Sequence, residues 1–219
     1  MKADVKIPAG PSRLDGILTV PKGVTAIVLF VHGSGSSRHS PRNQFVARAL
    51  NQAGLATLLF DLLTSDEETV DVYTAQHRFD IKLLAERLSY ATKWTLESEV
   101  TRDLRIGYFG SSTGAAAALV AAAGCPQDVG AVVSRGGRPD LAGDALARVR
   151  SPTLLMVGSR DVAVVELNEQ ARRLMRCEVK LEIVPGATHL FEEPGALERV
   201  TELACDWFMH HIASTGTMR

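Results

Sequence analysis

The stretch from Leu104 to Gly114 reads LRIGYFGSSTG and decides the fold. A short apolar run that predicts a strand leads directly into GSSTG, a match to G-x-S-x-G, and then into TGAAAALVAAAG, which is typical of a buried helix. A strand that turns abruptly into a helix holds its central serine on a strained backbone, and glycines on both sides avoid collisions with neighbouring backbone. The pattern therefore predicts that Ser112 is a nucleophile at such a turn.

A serine nucleophile needs a base and a carboxylate that orients the base, and both follow in the order expected for this architecture. The stretch 151–161, SPTLLMVGSRD, is an apolar strand that ends in a polar turn. The stretch 179–189, VKLEIVPGATH, repeats that arrangement with an alternating strand. We predict that Ser112, Asp161 and His189 form a catalytic triad.

Each of these three residues also has a plainer interpretation. Ser112 would be a small residue at a tight strand–helix contact, Asp161 the N-cap of the next helix, and His189 a surface histidine in a loop. The cap role of Asp161 is compatible with the catalytic one. Asp140 is the nearest competing acid, but it stands at a predicted helix start, where aspartate is a common cap. We favour the catalytic interpretation because the flanking glycines and the ordered partners occur together.

A further strand supplies candidate donors for an oxyanion hole. The stretch 25–32, TAIVLFVH, predicts a buried strand that runs into the flexible turn Gly33–Ser37. An oxyanion hole places two N–H donors where negative charge develops on the reacting carbonyl. We assign these donors to the backbone N–H groups of Ser34 and Thr113, and we interpret His32 as a structural residue that fixes the turn.

Basic residues near the predicted site give a weaker indication of the substrate. Arg135 follows the run AVVS and precedes two glycines, so its guanidinium is a candidate clamp for a substrate carboxylate or phosphate. The alternative is a salt bridge to Asp140 or to the acidic run 66–68. His39 follows the oxyanion turn and would meet an anionic substrate, be solvated or cap the carbonyls of its own loop. The acidic segment 61–77 is expected to lie over the mouth of the site, which leaves the charge of the pocket open.

Together these motifs resemble the α/β-hydrolases, and most closely the small lidless members related to dienelactone hydrolase. The match runs from HGSG through GSSTG and GSRD to GATHLF. The resemblance implies a mostly parallel eight-stranded sheet with helices on both faces, and hydrolysis of an ester, lactone or thioester through an acyl-enzyme. Dienelactone hydrolase itself has a cysteine at the elbow where this chain has Ser112, so its particular substrate is not carried over.

Two stretches carry a second resemblance. HGSGSSRHSPRN and SRGGRPDLAG are similar to a bacterial subgroup of uncharacterised hydrolases, some of which are fused to a phosphoribosyltransferase domain. We expect a single domain over residues 1–219. The interval 135–152 between two predicted strands is too short for a cap domain, which predicts an open site for small acyl groups.

Composition agrees with one enzyme domain. A chain of 219 residues with 46% hydrophobic content buries about 70–75% of the surface that its unfolded form exposes, which is enough for one core. The 24 basic and 25 acidic residues form no long run of one sign, so we expect a small-molecule acyl substrate and neither nucleic acid nor a membrane as partner. A homodimer is left open. The absence of a signal-peptide pattern predicts a cytoplasmic protein, and the predicted chemistry needs no metal or organic cofactor.

Alternating strands and helices follow a short N-terminal hairpin. We predict hairpin strands at 3–8 and 14–20, strands at 25–31, 55–60, 129–134, 153–158 and 179–184, and helices near 42–53, 78–94, 140–147, 163–175 and 194–212. Such alternation implies a parallel sheet whose strands end, at their carboxyl side, along one ligand-binding edge. The three cysteines are interpreted as buried thiols.

Two other functions remain open from the sequence. The same triad supports acyl transfer to an acceptor other than water, or thioesterase chemistry. A protein of a different class would keep the fold as a binding or regulatory module without activity. A Ser112 oxygen beyond hydrogen-bond reach of His189 would favour the second alternative, with allowance for the looser geometry of empty sites.

Overall fold

The computed structural model describes residues 1–213, which form one eight-stranded sheet covered by helices. The strands are β1 (Lys2–Ala9), β2 (Ser12–Thr19), β3 (Ala26–Val31), β4 (Ala56–Phe60), β5 (Arg105–Ser111), β6 (Val129–Arg135), β7 (Thr153–Gly158) and β8 (Val179–Val184). In space they follow the order β1-β2-β4-β3-β5-β6-β7-β8. Only β2 runs antiparallel to its neighbours β1 and β4, and the other pairs are parallel. The predicted mostly parallel sheet is confirmed.

The helices are α1 (Pro41–Gln52), α2 (Ser65–Thr74), α3 (Ile81–Glu97), α4 (Thr113–Gly124), α5 (Val162–Leu174) and α6 (Ala196–Phe208). The helix predicted near 140–147 is instead a 3-10 segment, Pro139–Arg148, which is interrupted at Gly143, where φ is +50°. The helix predicted at 194–212 ends at Phe208 and continues as a π-helical turn, Met209–Ala213. The last predicted helix is thus shorter than its apolar pattern suggested.

The sequence prediction missed helix α2. The segment 61–77 was predicted to lie over the mouth of the site with no helix assigned to it, but residues 65–74 are helical. Thr64 accepts a hydrogen bond from the N–H of Glu67, and the Glu67 carboxylate accepts one from the N–H of Thr64, which is a complete capping box. Helix α3 accordingly begins at Ile81 rather than at 78. The T-x-x-E spacing was present in the sequence and would have located the start of α2.

Hydrophobic burial differs between the hairpin and the centre of the sheet. Strands β1 and β2 alternate between buried and more exposed residues, whereas every residue of β3 and β4 is buried. Parallel strands covered on both faces read as continuous apolar runs, which is why 26–31 lacks a period of two. Helices α3, α4 and α5 pack on one face of the sheet, and α1 and α6 pack on the other.

Two features of the connections bear on the predicted site. Between β6 and β7 the chain holds only the 3-10 segment, so no cap domain is inserted there. The β1–β2 turn needs only Gly10 and Pro11, with Gly10 at a φ of +63°, so β2 begins two residues before its predicted start. None of the helices within residues 1–213 is long and apolar enough to cross a membrane.

The cysteines differ from the prediction. Cys125, Cys177 and Cys205 are free but half-buried rather than buried. Desolvation raises the pKa of all three thiols, to about 11 for Cys205, so they are protonated at neutral pH. A thiol in that state is a poor nucleophile.

Candidate active site

Ser112 occupies the turn between β5 and α4 with φ +51° and ψ −122°. A residue other than glycine in this region carries strain of about 1–3 kcal/mol, which the surrounding structure must hold in place. The N–H of Ser112 donates to the carbonyl of Arg135 at 3.2 Å, and its own carbonyl accepts from the N–H groups of Ala115 and Arg138, each at 3.1 Å. These three backbone bonds fix the strained residue at the end of the central strands.

The two glycines of the GSSTG motif are required by close backbone contacts. A Cβ atom at Gly110 would lie 2.5 Å from the Cα of Ala115. A Cβ atom at Gly114 would overlap the carbonyl oxygens of Val31 and His32. Both clashes involve backbone, which has little room to move, so the steric reason given for the motif holds in this chain.

Asp161 and His189 are hydrogen-bonded to each other. Asp161 stands at the N-cap position of α5, but its side chain makes no capping hydrogen bond. Its Oδ2 instead accepts from Nδ1 of His189 at 2.6 Å. This bond assigns the proton to Nδ1, which leaves Nε2 of His189 as the nitrogen that accepts a proton. The N-cap position thus determines where the Asp161 carboxylate lies, and the carboxylate itself is hydrogen-bonded to His189.

Ser112 and His189 both lie against the peptide that joins Arg135 to Gly136. The Arg135 carbonyl holds the Ser112 N–H, and a Cβ atom at Gly136 would lie 3.6 Å from Cε1 of His189. Within residues 1–213 the Ser112 hydroxyl makes no hydrogen bond. Catalytic hydrogen bonds are often long in the absence of substrate and shorten when it binds.

The two predicted oxyanion residues touch each other. The Ser34 N–H donates to Oγ1 of Thr113 at 3.1 Å, and the two hydroxyl oxygens lie 3.0 Å apart. The Ser34 hydroxyl donates to the carbonyl of Arg78 at 3.3 Å. The Ser34 N–H is thus engaged by the Thr113 side chain, and the assignment of the two backbone N–H groups to an oxyanion hole stays a prediction. A rotation of the Thr113 side chain about χ1 would release the Ser34 N–H.

His32 is the structural residue that the sequence predicted. Its Nε2 accepts from the N–H of Leu62 at 3.1 Å, so Nδ1 carries the proton and bonds the carbonyl of Gly33 at 2.9 Å. Burial lowers the pKa of His32, which keeps the ring neutral and both bonds intact. The ring thereby ties the oxyanion turn to the segment that follows β4.

The buried carboxylate of Asp71, which the sequence analysis did not identify, supports the same turn. Asp71 on α2 is 1% exposed and accepts hydrogen bonds from the backbone N–H groups of His77 and Arg78 and from Nε of Arg78. These bonds hold the Arg78 carbonyl beside Ser34. No sequence signal distinguished Asp71, because an aspartate in a polar, acidic run is expected to be exposed to solvent.

A cleft of about 630 Å³ opens beside the oxyanion turn. Residues 61–68 form one wall, and the turn and the start of α1 form the other; the lining side chains include His32, Ser34, Ser36, Ser37, His39, Ser40, Arg42, Asp61, Leu63, Thr64, Ser65 and Glu68. The lining is mostly polar, and His39 is exposed within it. Asp61 accepts from the backbone N–H of Arg38 at 2.6 Å and forms an ion pair with its guanidinium.

Arg135 forms neither of the salt bridges that its alternative interpretation required. Asp140 pairs with Arg138 at 2.7 Å, and Glu67 of the 66–68 run pairs with Arg87 at 2.6 Å. Among residues 1–213 the Arg135 guanidinium has no ion pair, and its Nη1 is buried without a hydrogen-bond partner. Burial, together with repulsion from Arg42, lowers the pKa of Arg135 to about 10.

The described part of the chain holds no cluster of side chains suited to a metal ion.

Comparison with known proteins agrees with this fold. The model of the dienelactone hydrolase family matches residues 14–212. The crystal structure of dienelactone hydrolase from Anabaena variabilis is 56% identical, covers 97% of this chain and 98% of its own, and superposes with a TM-score of 0.96. A lidless serine hydrolase from Xanthomonas campestris shares the fold at 19% identity, with a TM-score of 0.76 and coverage of 98% of this chain and 97% of its own.

The chain spans about half the length of the curated relatives it matches. A protein of Mycobacterium tuberculosis, named as a candidate phosphoribosyl transferase, is 56% identical over 213 residues, which are 97% of this chain and 47% of that protein. The family model, by contrast, extends over most of the present chain. The chain therefore belongs to the dienelactone hydrolase family.

Proposed function

We propose that this hydrolase cleaves a small ester, lactone or thioester through an acyl-serine intermediate formed on Ser112. The observation that carries the proposal is the hydrogen bond of 2.6 Å between Asp161 and His189, at the sheet edge where Ser112 adopts its strained turn. Family membership supports hydrolysis as the reaction class. The choice of an acyl substrate rests on the combination of nucleophile, base and orienting acid.

In the proposed first step, Nε2 of His189 takes the hydroxyl proton of Ser112 as its oxygen attacks the acyl carbonyl. The hydrogen bond from Nδ1 to Asp161 keeps the imidazole in the required tautomer and stabilises the imidazolium that forms. His189 then gives the proton to the leaving group. A water molecule repeats the sequence on the acyl-serine, releases the acid and restores Ser112.

The negative charge that develops on the carbonyl oxygen needs two donors. The N–H of Thr113 begins helix α4, and the N–H of Ser34 becomes available when the Thr113 hydroxyl turns away from it. Removing one such donor typically costs about 3–4 kcal/mol of transition-state stabilisation. The polar cleft beside Ser34 would take the rest of a small substrate, with His39 at its wall.

Phosphoribosyl transfer is not proposed for this chain. That name belongs to a relative about twice as long, of which this chain matches less than half. Acyl transfer to an acceptor other than water and thioester cleavage use the same triad, and product analysis separates them from ester hydrolysis.

Labelling with a fluorophosphonate probe tests the proposal, together with hydrolysis of a short p-nitrophenyl ester. We expect labelling and turnover in the wild type and loss of both in Ser112→Ala. Ser111→Ala is the matched control, because this neighbouring serine of the same motif is buried and its hydroxyl bonds Asn43. We expect Ser111→Ala to be labelled. A folded wild type that is neither labelled nor active would refute the hydrolase proposal and favour a silent binding protein.

A further inference from the structure

A second cleft lies at the edge of the sheet opposite the candidate active site. It has a volume of about 560 Å³ and is formed where α4, the 3-10 segment and α5 end. The chain continues from there into β7 and β8, whose far ends lead to Asp161 and His189. Because these strands are parallel, the cleft is at their amino ends and the triad residues are at their carboxyl ends. This second cleft is therefore separate from the one beside the oxyanion turn.

Three arginines line the second cleft, and no acidic residue does. Arg148 ends the 3-10 segment, Arg150 stands in the connection to β7, and Arg176 follows the end of α5. All three side chains are exposed, and among residues 1–213 none of their guanidinium groups has an ion pair or a hydrogen bond. A concave surface lined by charges of one sign focuses their field and attracts ions of the opposite sign. The second cleft is thus suited to an anion.

The arginines do not serve as caps or as partners of nearby acids. An arginine at a helix C-terminus often bonds the last carbonyls, but within residues 1–213 none of these three donates to a carbonyl. The neighbouring acids have other contacts. Asp128 accepts from the amide of Gln127 at 3.2 Å, and Glu178 lies 3.8 Å from Nε2 of His211. The local structure therefore gives these guanidinium groups no ligand.

The second cleft also offers backbone donors and apolar surface. The N–H groups of Arg150 and Arg176 have no hydrogen-bond acceptor among residues 1–213. Ala123, Pro126 and Ala147 add apolar surface to the lining. A volume of this size is within the range of small-molecule sites, which combine apolar walls with a few polar groups.

The number of arginines indicates the charge of the ligand. A single carboxylate would leave most of the positive charge in the cleft uncompensated. A diphosphate group carries more than one negative charge and several acceptor oxygens, which match guanidinium forks and free N–H groups. A small ligand is favoured over a nucleic acid, because the site is a cleft and the chain as a whole balances 24 basic with 25 acidic residues.

We propose that Arg148, Arg150 and Arg176 form a binding site for a diphosphate group, either free or carried by a small organic molecule. The site lies at the edge of the sheet away from Ser112, and the proposal does not depend on the hydrolase function. The guanidinium groups bind the phosphate oxygens through charge-assisted hydrogen bonds. The apolar surface beside them leaves room for an organic group.

Calorimetric titration with inorganic pyrophosphate tests the site, in buffer held at constant ionic strength with NaCl. We expect saturable one-to-one binding to the wild type, and a rise in Kd of about 10-fold or more in each of Arg148→Met, Arg150→Met and Arg176→Met. These side chains are exposed and unpaired, so the variants should keep the Tm of the wild type.

Two control variants locate the bound anion. Arg48→Met removes an exposed arginine of α1, on the other face of the sheet, and Arg42→Met removes one that lines the candidate active-site cleft. We expect both to bind pyrophosphate within about twofold of the wild type, because solvent and salt screen distant charges. A loss of affinity as large in Arg48→Met as in the cleft variants would indicate unspecific charge attraction. A loss confined to Arg42→Met would place the anion at the active site. Either result overturns the proposal.

Titration with ADP distinguishes the two sources of the diphosphate group. Tighter binding of ADP than of pyrophosphate supports an organic diphosphate, and weaker binding of ADP supports free pyrophosphate. Absence of saturable binding of both compounds to the folded wild type would overturn the proposal, and binding of a DNA duplex in that case would indicate a nucleic-acid surface instead. Because calorimetry needs no turnover, this outcome is independent of whether Ser112 is a nucleophile.

Discussion

Replacing Asp161 with asparagine separates the two roles of this residue. As the N-cap of α5 it makes no side-chain capping bond, and asparagine is as good a cap as aspartate. As the partner of His189 it accepts the Nδ1–H at 2.6 Å. An asparagine amide can present N–H to that nitrogen, which moves the ring proton to Nε2 and removes the acceptor that Ser112 needs.

The two roles predict effects of different size. We expect kcat/KM for a short p-nitrophenyl ester to fall by about 10³ to 10⁴, which corresponds to about 4–5.5 kcal/mol of transition-state stabilisation. The free energy of unfolding should change by less than about 1 kcal/mol, because the cap position tolerates either residue. Fluorophosphonate labelling should slow in parallel with turnover, since both depend on removal of the Ser112 proton.

The matched control is Asp140→Asn, the other aspartate that follows a strand in this part of the chain. Its partner Arg138 is 38% exposed, and a pair of this kind contributes at most about 1 kcal/mol. We expect kcat/KM of Asp140→Asn to stay within about fivefold of the wild type. Steady-state kinetics and urea unfolding on both variants decide the outcome. Asp161→Asn with more than a tenth of wild-type activity would refute the role of Asp161 as the orienting acid.

Two further predictions concern the frame of the site. Gly114→Ala puts a Cβ against the carbonyl oxygens of Val31 and His32, so it should lower the free energy of unfolding by about 1–3 kcal/mol and abolish most of the fluorophosphonate labelling. The control is Gly124→Ala, since Gly124 lies at the other end of the same helix with open space around it. We expect this variant to be neutral or mildly stabilising in urea unfolding. The unfolded chain protonates His32 near pH 6.5, but burial lowers its pKa in the native state, so this residue's stabilisation is present above pH 6.5 and is lost as the pH falls through the native pKa. In the wild type the free energy of unfolding should drop by up to about 1.4 kcal/mol per pH unit in that window. The drop should be less steep in His32→Asn and the same as in the wild type in His39→Asn. Equal slopes in all three proteins would contradict this role of His32.

The sequence predicted the sheet and the elbow because both depend on local rules. Continuous apolar runs predict buried parallel strands, and GSSTG encodes contacts between residues only a few positions apart, such as Gly110 with Ala115. The contact of Gly114 with Val31 is long-range, yet it follows from the same turn. The order of serine, acid and histidine then placed three side chains at the carboxyl ends of strands. The positions of these side chains at strand ends were therefore predictable before the fold was known, and their roles stay predictions.

Features set by the loops were not readable in the same way. Helix α2 lacks an apolar stripe, since Asp71 is its only buried residue, and so its periodicity gave no signal. The engagement of the Ser34 N–H by Thr113 depends on a side-chain rotamer. Whether Arg135 has a partner depends on which acids the other arginines bind. Arg138 binds Asp140 and Arg87 binds Glu67, which are acids that the sequence analysis had considered for Arg135. Competition of this kind is settled only in three dimensions.

The segment after β4 supports the turn that contains His32 and Ser34 through hydrogen bonds. Leu62 fixes the ring of His32, and the Asp71 network holds the carbonyl that accepts from Ser34. The Ser34 hydroxyl is then committed to that carbonyl, so the Thr113 hydroxyl donates to Ser34 and its oxygen faces the Ser34 N–H. A movement of residues 62–78 would break the hydrogen bond between the Ser34 hydroxyl and the Arg78 carbonyl, and the Ser34 hydroxyl would then be free to donate to Oγ1 of Thr113 instead. The position of this segment and the direction of the Ser34–Thr113 hydroxyl bond are thus coupled through one chain of hydrogen bonds.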